Sequence, residues 1–143
     1  MGSNAIIDSG TNSIQLPNYL MEDLLKAFRT QNFNFFKAIA IVHQNNNSLS
    51  MEQLDLSKWP NLICTFEGEN GQPIQLICQP TTYWQLNTPS PGMATFKLVG
   101  KPKDSPNQSI FGLPLLNNYF TIFDRSKDSK GVIKFASINK ALP

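Results

Sequence analysis

A chain of 143 residues, 41% hydrophobic and 15% charged, is long enough to bury the core of one domain and too apolar to stay disordered. Twelve basic and ten acidic side chains leave a formal charge of +2, too small a bias to point to a nucleic-acid partner. The longest apolar run, residues 35–42, falls short of a membrane span and is broken by Lys37, so no membrane segment is expected in this chain.

In chain order, residues 1–4 lack the basic and then apolar texture of a signal peptide and are expected to be appended residues or the entry to a single domain at 5–143. Ala5, Ile6 and Ile7 form a short buried strand, and Asp8, Ser9, Gly10 and Thr11 the turn that leaves it. Pro17 opens a helix over residues 17–29, because Leu20, Met21, Leu24, Leu25 and Phe28 recur at three- and four-residue spacing. From Phe33 onward the texture is β, with His43 at a strand end and a polar loop over residues 44–50. Residues 62–66 and 74–78 predict two strands around the Asn70-Gly71 turn signal. A proline-containing loop spans residues 87–92, a strand 94–99 and a second loop 100–108. Residues 109–112 read as a short strand ending on glycine, 114–118 as a brief helix-like connection, 119–125 and 132–136 as closing strands, and 126–130 as the charged turn between them. The expected fold class is mainly β with one or two short helices. Trp59, Trp84 and the phenylalanines are assigned to the core.

Cys64 and Cys78 flank the Asn70-Gly71 turn, and two buried thiols are favoured there over a bridge. With His43 the only histidine and no Cys-x-x-Cys, no zinc ligand set exists, and neither metal nor cofactor is expected. Asn46-Asn47-Ser48 and Asn107-Gln108-Ser109 match the glycosylation pattern, as an asparagine-rich chain readily does.

An acid at a strand end followed by a tight glycine turn serves three chemistries. A haloacid dehalogenase-type phosphatase expects a second acid two residues on, where this chain has Gly10, and an alternating α/β layout. A phosphate-binding ATPase turn carries several glycines, whereas this one has a single glycine. In an aspartic peptidase the carboxylate must be held rigidly so that two such groups share one proton, one acting as base on a water and the other as acid. Gly10 permits the tight turn, and the hydroxyls of Ser9 and Thr11 can support the carboxylate.

The run from Ala5 to Thr11, with Leu16-Pro17 following, resembles the catalytic-aspartate motif of the C-terminal lobe of pepsin-like aspartic peptidases, the family of pepsin, renin, cathepsin D and the β-secretases. Trp59-Pro60-Asn61-Leu62-Ile63-Cys64-Thr65-Phe66 is similar to that lobe's Leu-Pro-x-apolar-x-Phe strand, and Gln79-Pro80-Thr81-Thr82-Tyr83 to its Pro-x-x-Tyr segment. Ile110-Phe111-Gly112 resembles the strand that packs beside the aspartate loop. Residues 118–125 and 133–136 resemble the terminal strands. The landmarks occur in family order along nearly the whole chain. Three positions depart from the family: Leu113 stands where many members carry Asp, Lys134 replaces a usual glycine, and the cysteines do not match the lobe's usual bridge.

The resemblance implies one lobe of a double-β-barrel acid protease, with Asp8 as half of a catalytic dyad, Ser9, Gly10 and Thr11 supporting it, and Asn12, Ile110 and Leu113 lining the substrate cleft. It implies as partners an N-terminal lobe carrying the second aspartate and the flap tyrosine, a peptide or protein substrate and a pepstatin-type inhibitor. It also suggests a secreted, lysosomal or vacuolar setting. No second Asp-(Ser/Thr)-Gly string occurs: Asp23 falls in the first helix, Asp55 and Asp104 in polar stretches, Asp124 before Arg125 as a structural pair or strand end, and Asp128 in a turn. The upstream strands of the lobe are likewise not found ahead of Asp8. Two alternatives stand beside the peptidase: an inactive lobe that binds peptide or serves structure, and a homodimer pairing two Asp8 groups as retroviral-type peptidases do.

Overall fold

The computed structural model describes residues 2–126 and 130–138; Asp128 and part of the expected charged turn lie outside them. Within these residues the chain runs β1 (Asn4–Ile7), β2 (Ile14–Leu16), α1 (Asn18–Gln31), α2 (Phe33–Gln44), β3 (Ser48–Ser50), two 3-10 turns (Met51–Gln53 and Leu56–Lys58), β4 (Leu62–Glu67) and β5 (Pro73–Cys78). It continues through α3 (Pro80–Tyr83), β6 (Trp84–Leu86), β7 (Met93–Phe96), β8 (Leu98–Gly100), β9 (Gln108–Phe111), α4 (Leu113–Leu116), β10 (Tyr119–Asp124) and β11 (Val132–Ser137). The strands, more numerous than the helices, make four separate sheets among the described residues, none closed on itself.

The sheet that carries the Asp8 turn has the order β1-β9-β2-β8. β1 runs parallel to β9 with Ile7 opposite Phe111, β2 runs antiparallel to β9, and β8 runs parallel to β2. A second sheet, β3-β7-β6, is antiparallel throughout. The hairpins β4–β5 and β10–β11 stand apart from both. Gly71, at φ +72°, supplies the left-handed residue that the first hairpin's turn needs.

Two helices were missed by sequence reasoning, α2 and the short α3. The run after Phe33 is α2 rather than strand, because Phe35, Ile39 and Val42 recur at four- and three-residue spacing and all three are buried. Asn32 caps it, its side chain accepting from the Asn34 N–H at 3.0 Å, and His43 lies exposed in its last turn. The helices of 14 and 12 residues thus exceed the short ones expected. The single strand expected over residues 94–99 is two strands, β7 and β8, parted at Lys97.

The core centres on Trp59. Its ring lies 4.6 Å from Phe35, 5.1 Å from Trp84 and 5.6 Å from Phe28, with Tyr83 and Phe96 closing the cluster. α1 contributes Met21 and Phe28 to this core, and Leu24 and Leu25 pack against it. Not every phenylalanine is inside: Phe33, Phe120 and Phe123 are each more than half exposed. Asp124 does end a strand, but its partner is Lys134, at 2.6 Å, on the facing strand. Lys134 thus ties β11 to β10 through a side-chain ion pair.

Candidate active site

β1 delivers Asp8 to the surface, and its neighbour β9 fixes where the strand stops. The Asp8 N–H donates to the Phe111 carbonyl at 3.0 Å, continuing the parallel ladder one residue past the strand. The chain then reverses, with the Thr11 N–H returning to the Asp8 carbonyl at 3.3 Å. Inside this turn the carboxylate accepts two bonds: the Gly10 N–H donates to Oδ1 at 2.9 Å and the Thr11 hydroxyl to Oδ2 at 2.5 Å. A Cβ on Gly10 would sit 3.2 Å from Oδ1, so glycine brings its amide up to the acid without crowding it.

These donors stabilise the charged form. The Thr11 hydroxyl first, and the Gly10 amide second, hold the Asp8 carboxyl below the ordinary aspartate value of 3.8, against a small opposing effect of burial. Ser9, the other expected supporter, is exposed and makes no side-chain hydrogen bond to the carboxylate.

The turn is backed by α4 and the end of β9. The Gly112 N–H donates to the Ser13 carbonyl at 3.1 Å, and the Leu113 N–H to the Thr11 carbonyl at 2.8 Å. From the other side, the Ile14 N–H donates to the Lys97 carbonyl at 2.8 Å. The residues after Asp8 are thus gripped by segments roughly 85 and 100 positions further along the chain.

A cleft of about 370 Å³ opens at Asn12, and Asp8, Ser9, Gly10 and Thr11 are not among its lining residues. Asn12 and Leu113 line it together with Trp84, Gln85, Lys97 and Asn117. Ile110, expected in the same cleft, is not among its lining residues; it lies half-buried in β9 opposite Ile6 and Gln15. Lys97 was missed by sequence reasoning, which placed it inside one continuous strand.

Three of the other described aspartates are engaged away from this turn. Asp23 lies 3.6 Å from Lys26, Asp55 caps a 3-10 turn through Ser57, and Asp124 holds Lys134. Among the described residues no group of three or more His, Cys, Asp or Glu side chains could hold a metal ion. No described helix is long and apolar enough to cross a membrane.

Cys64 and Cys78 lie on one face of the β4–β5 hairpin, Cys64 opposite Leu76 and Cys78 opposite Leu62, and both thiols are free. Compared with known families, residues 1–137 match the family model described as eukaryotic aspartyl protease.

Proposed function

The chain belongs to the eukaryotic aspartyl protease family, and on that premise we propose that residues 5–143 are its C-terminal lobe and that Asp8 is one of two aspartates activating water for peptide-bond hydrolysis. The observation that carries the reading is the cradle of the Asp8 carboxylate. Two donors fix its orientation while the group keeps a face open to solvent, where a water and a second acid can approach.

The chemistry follows from that arrangement. Two carboxyls brought close together cannot both ionise, so one keeps the charge and the other the proton. Asp8, with two hydrogen bonds favouring its anion, is suited to be the charged member before substrate binds. The anion takes a proton from the lytic water as it attacks the scissile carbonyl. The protonated member donates to that carbonyl oxygen, so the two acids exchange roles. The newly protonated acid then gives its proton to the amine as the C–N bond breaks, and the other takes one from a gem-diol hydroxyl, which restores the singly protonated dyad. The second acid comes from a lobe outside these 143 residues. Asn12 and Leu113 line the substrate cleft, and Ser9, Gly10 and Thr11 form the turn that supports Asp8. Ile110 acts through β9, which holds β1 in place.

The reading is tested by combining the chain with a lobe bearing an Asp-Thr-Gly motif and a flap tyrosine, then assaying peptide cleavage at acid pH. The two-lobed form should cleave and should bind a pepstatin-type inhibitor. Asp8→Asn should lower the rate by about 10³-fold. Full activity in Asp8→Asn would refute the proposal. Activity of the chain alone that rises with the square of its concentration would replace the second lobe with a second copy.

A further inference from the structure

We propose that the cleft beside Asn12 binds a carboxylate of the peptide substrate and that Lys97 is the residue that selects for it; the proposal rests on the chain being half of an aspartic peptidase and names what that half prefers. The cleft's polar lining is rich in donors. Asn12, Gln85 and Asn117 present amides, Lys97 an ammonium, and no aspartate or glutamate is among its described lining residues. Trp84 forms part of the wall, its side chain fully buried behind it. A pocket with surplus donors and a cation favours an anion with paired acceptor oxygens over a neutral or basic group.

Lys26, Lys58 and Lys134 each pair with an aspartate, whereas the Lys97 ammonium has no hydrogen-bond or carboxylate partner among the described residues. It is also partly withdrawn from water, and burial pushes its pKa down. A cation in that position gains when an anion arrives, because the newcomer replaces lost hydration.

The backbone of Lys97 is fixed relative to the acid. Its N–H donates to the Tyr83 carbonyl at 2.8 Å and its carbonyl accepts from the Ile14 N–H at 2.8 Å. Tyr83 and Ile14 are buried core residues, and Ile14 lies six positions after Asp8. The backbone that carries Lys97 is therefore tied to the segment that follows the Asp8 turn. A substrate carboxylate has two sources, an acidic side chain near the scissile bond or the peptide's own C-terminus, and the chemistry of recognition is the same for both.

The test titrates the ¹⁵N-labelled chain with three capped peptides of one sequence: one with Glu and an amidated end, one with Gln and an amidated end, and the Gln peptide with a free C-terminal carboxylate. A carboxylate-bearing peptide should bind about tenfold more tightly than the doubly neutral one. It should also shift the Trp84 indole signal and the amide signals of Asn12 and Leu113. The arm that shows the gain identifies the source of the carboxylate. Lys97→Met should abolish the preference and Lys97→Arg should retain it, the second variant guarding against a folding defect in the first. Equal binding of all three peptides, absence of binding, or a preference that survives in Lys97→Met overturns the proposal. The Asp8→Asn chain should show the same preference, so this measurement stands or falls apart from the peptidase reading, which only cleavage tests.

Discussion

Gly112 and Thr11 meet backbone to backbone: a Cβ on Gly112 would lie 2.1 Å from the Thr11 carbonyl oxygen and 2.6 Å from that of Ser13. Both obstacles are main chain already committed to hydrogen bonds from Leu113 and Gly112, so neither can swing aside. Gly112→Ala should therefore cost at least about 3 kcal/mol, beyond the usual price of an extra methyl in a core. Urea denaturation of the variant checks this. A loss below about 1 kcal/mol would mean that the turn relaxes freely.

The Thr11 hydroxyl is the larger of the two influences holding the Asp8 carboxyl below 3.8. Thr11→Val keeps the shape and removes the donor, so the Asp8 titration midpoint, followed by NMR, should rise toward 3.8. The sign for stability follows. A carboxyl depressed by folding contributes stability above its ordinary value and loses it as pH falls through the lower folded value. Wild type should thus weaken on the acid side, and Thr11→Val should show a shallower acid decline. An unchanged Asp8 midpoint in the variant would contradict the hydrogen-bond assignment.

Cys64 and Cys78 should be chemically quiet. Burial pushes the Cys64 thiol up to about 12 and the Cys78 thiol up to about 11. The Cys78 thiol also donates to the Pro114 carbonyl at 3.0 Å. At pH 8 almost no thiolate exists in the folded chain to attack a disulfide reagent. Ellman's reagent should label neither cysteine in native protein within the time that labels both in guanidinium. Rapid native labelling at glutathione-like rates would show that the hairpin opens.

Trp59 is the ring on which Phe28, Phe35, Tyr83, Trp84 and Phe96 converge. Trp59→Ala should destabilise the fold by about 3–5 kcal/mol through lost burial and a cavity among rings that cannot collapse into it. Thermal melting followed by circular dichroism reads the loss. Phe120→Ala, on a ring 61% exposed, should change the midpoint little.

Local signals in the chain were legible and distant ones were not. The Asp8–Thr11 turn could be anticipated because its acid, glycine and hydroxyl lie within four consecutive residues and bond to one another. The β4–β5 hairpin was equally visible, since Asn70-Gly71 forces the reversal between two apolar runs. α2 was hidden because its residues are β-branched and aromatic, which suits a strand. Burial of Phe35, Ile39 and Val42 along one face outweighed that preference. The break at Lys97 was illegible for another reason: the bonds that part β7 from β8 go to Tyr83 and Ile14, which no local pattern announces. The outward Phe120 and Phe123 show the same limit, since composition counts them as core while their place in the hairpin leaves them exposed.

β1 has a single neighbour in its sheet, β9, and the Ser3–Ser109 contact beside it joins residues 106 apart in sequence. Closing so long a loop is slow and brings no reward until its far end exists. As the chain emerges from a ribosome, Asp8 appears about 100 residues before the strand that seats it. A chain that stops short of β9 therefore carries the acid without its mount, and the Asp8 turn is seated only once β9 is in place.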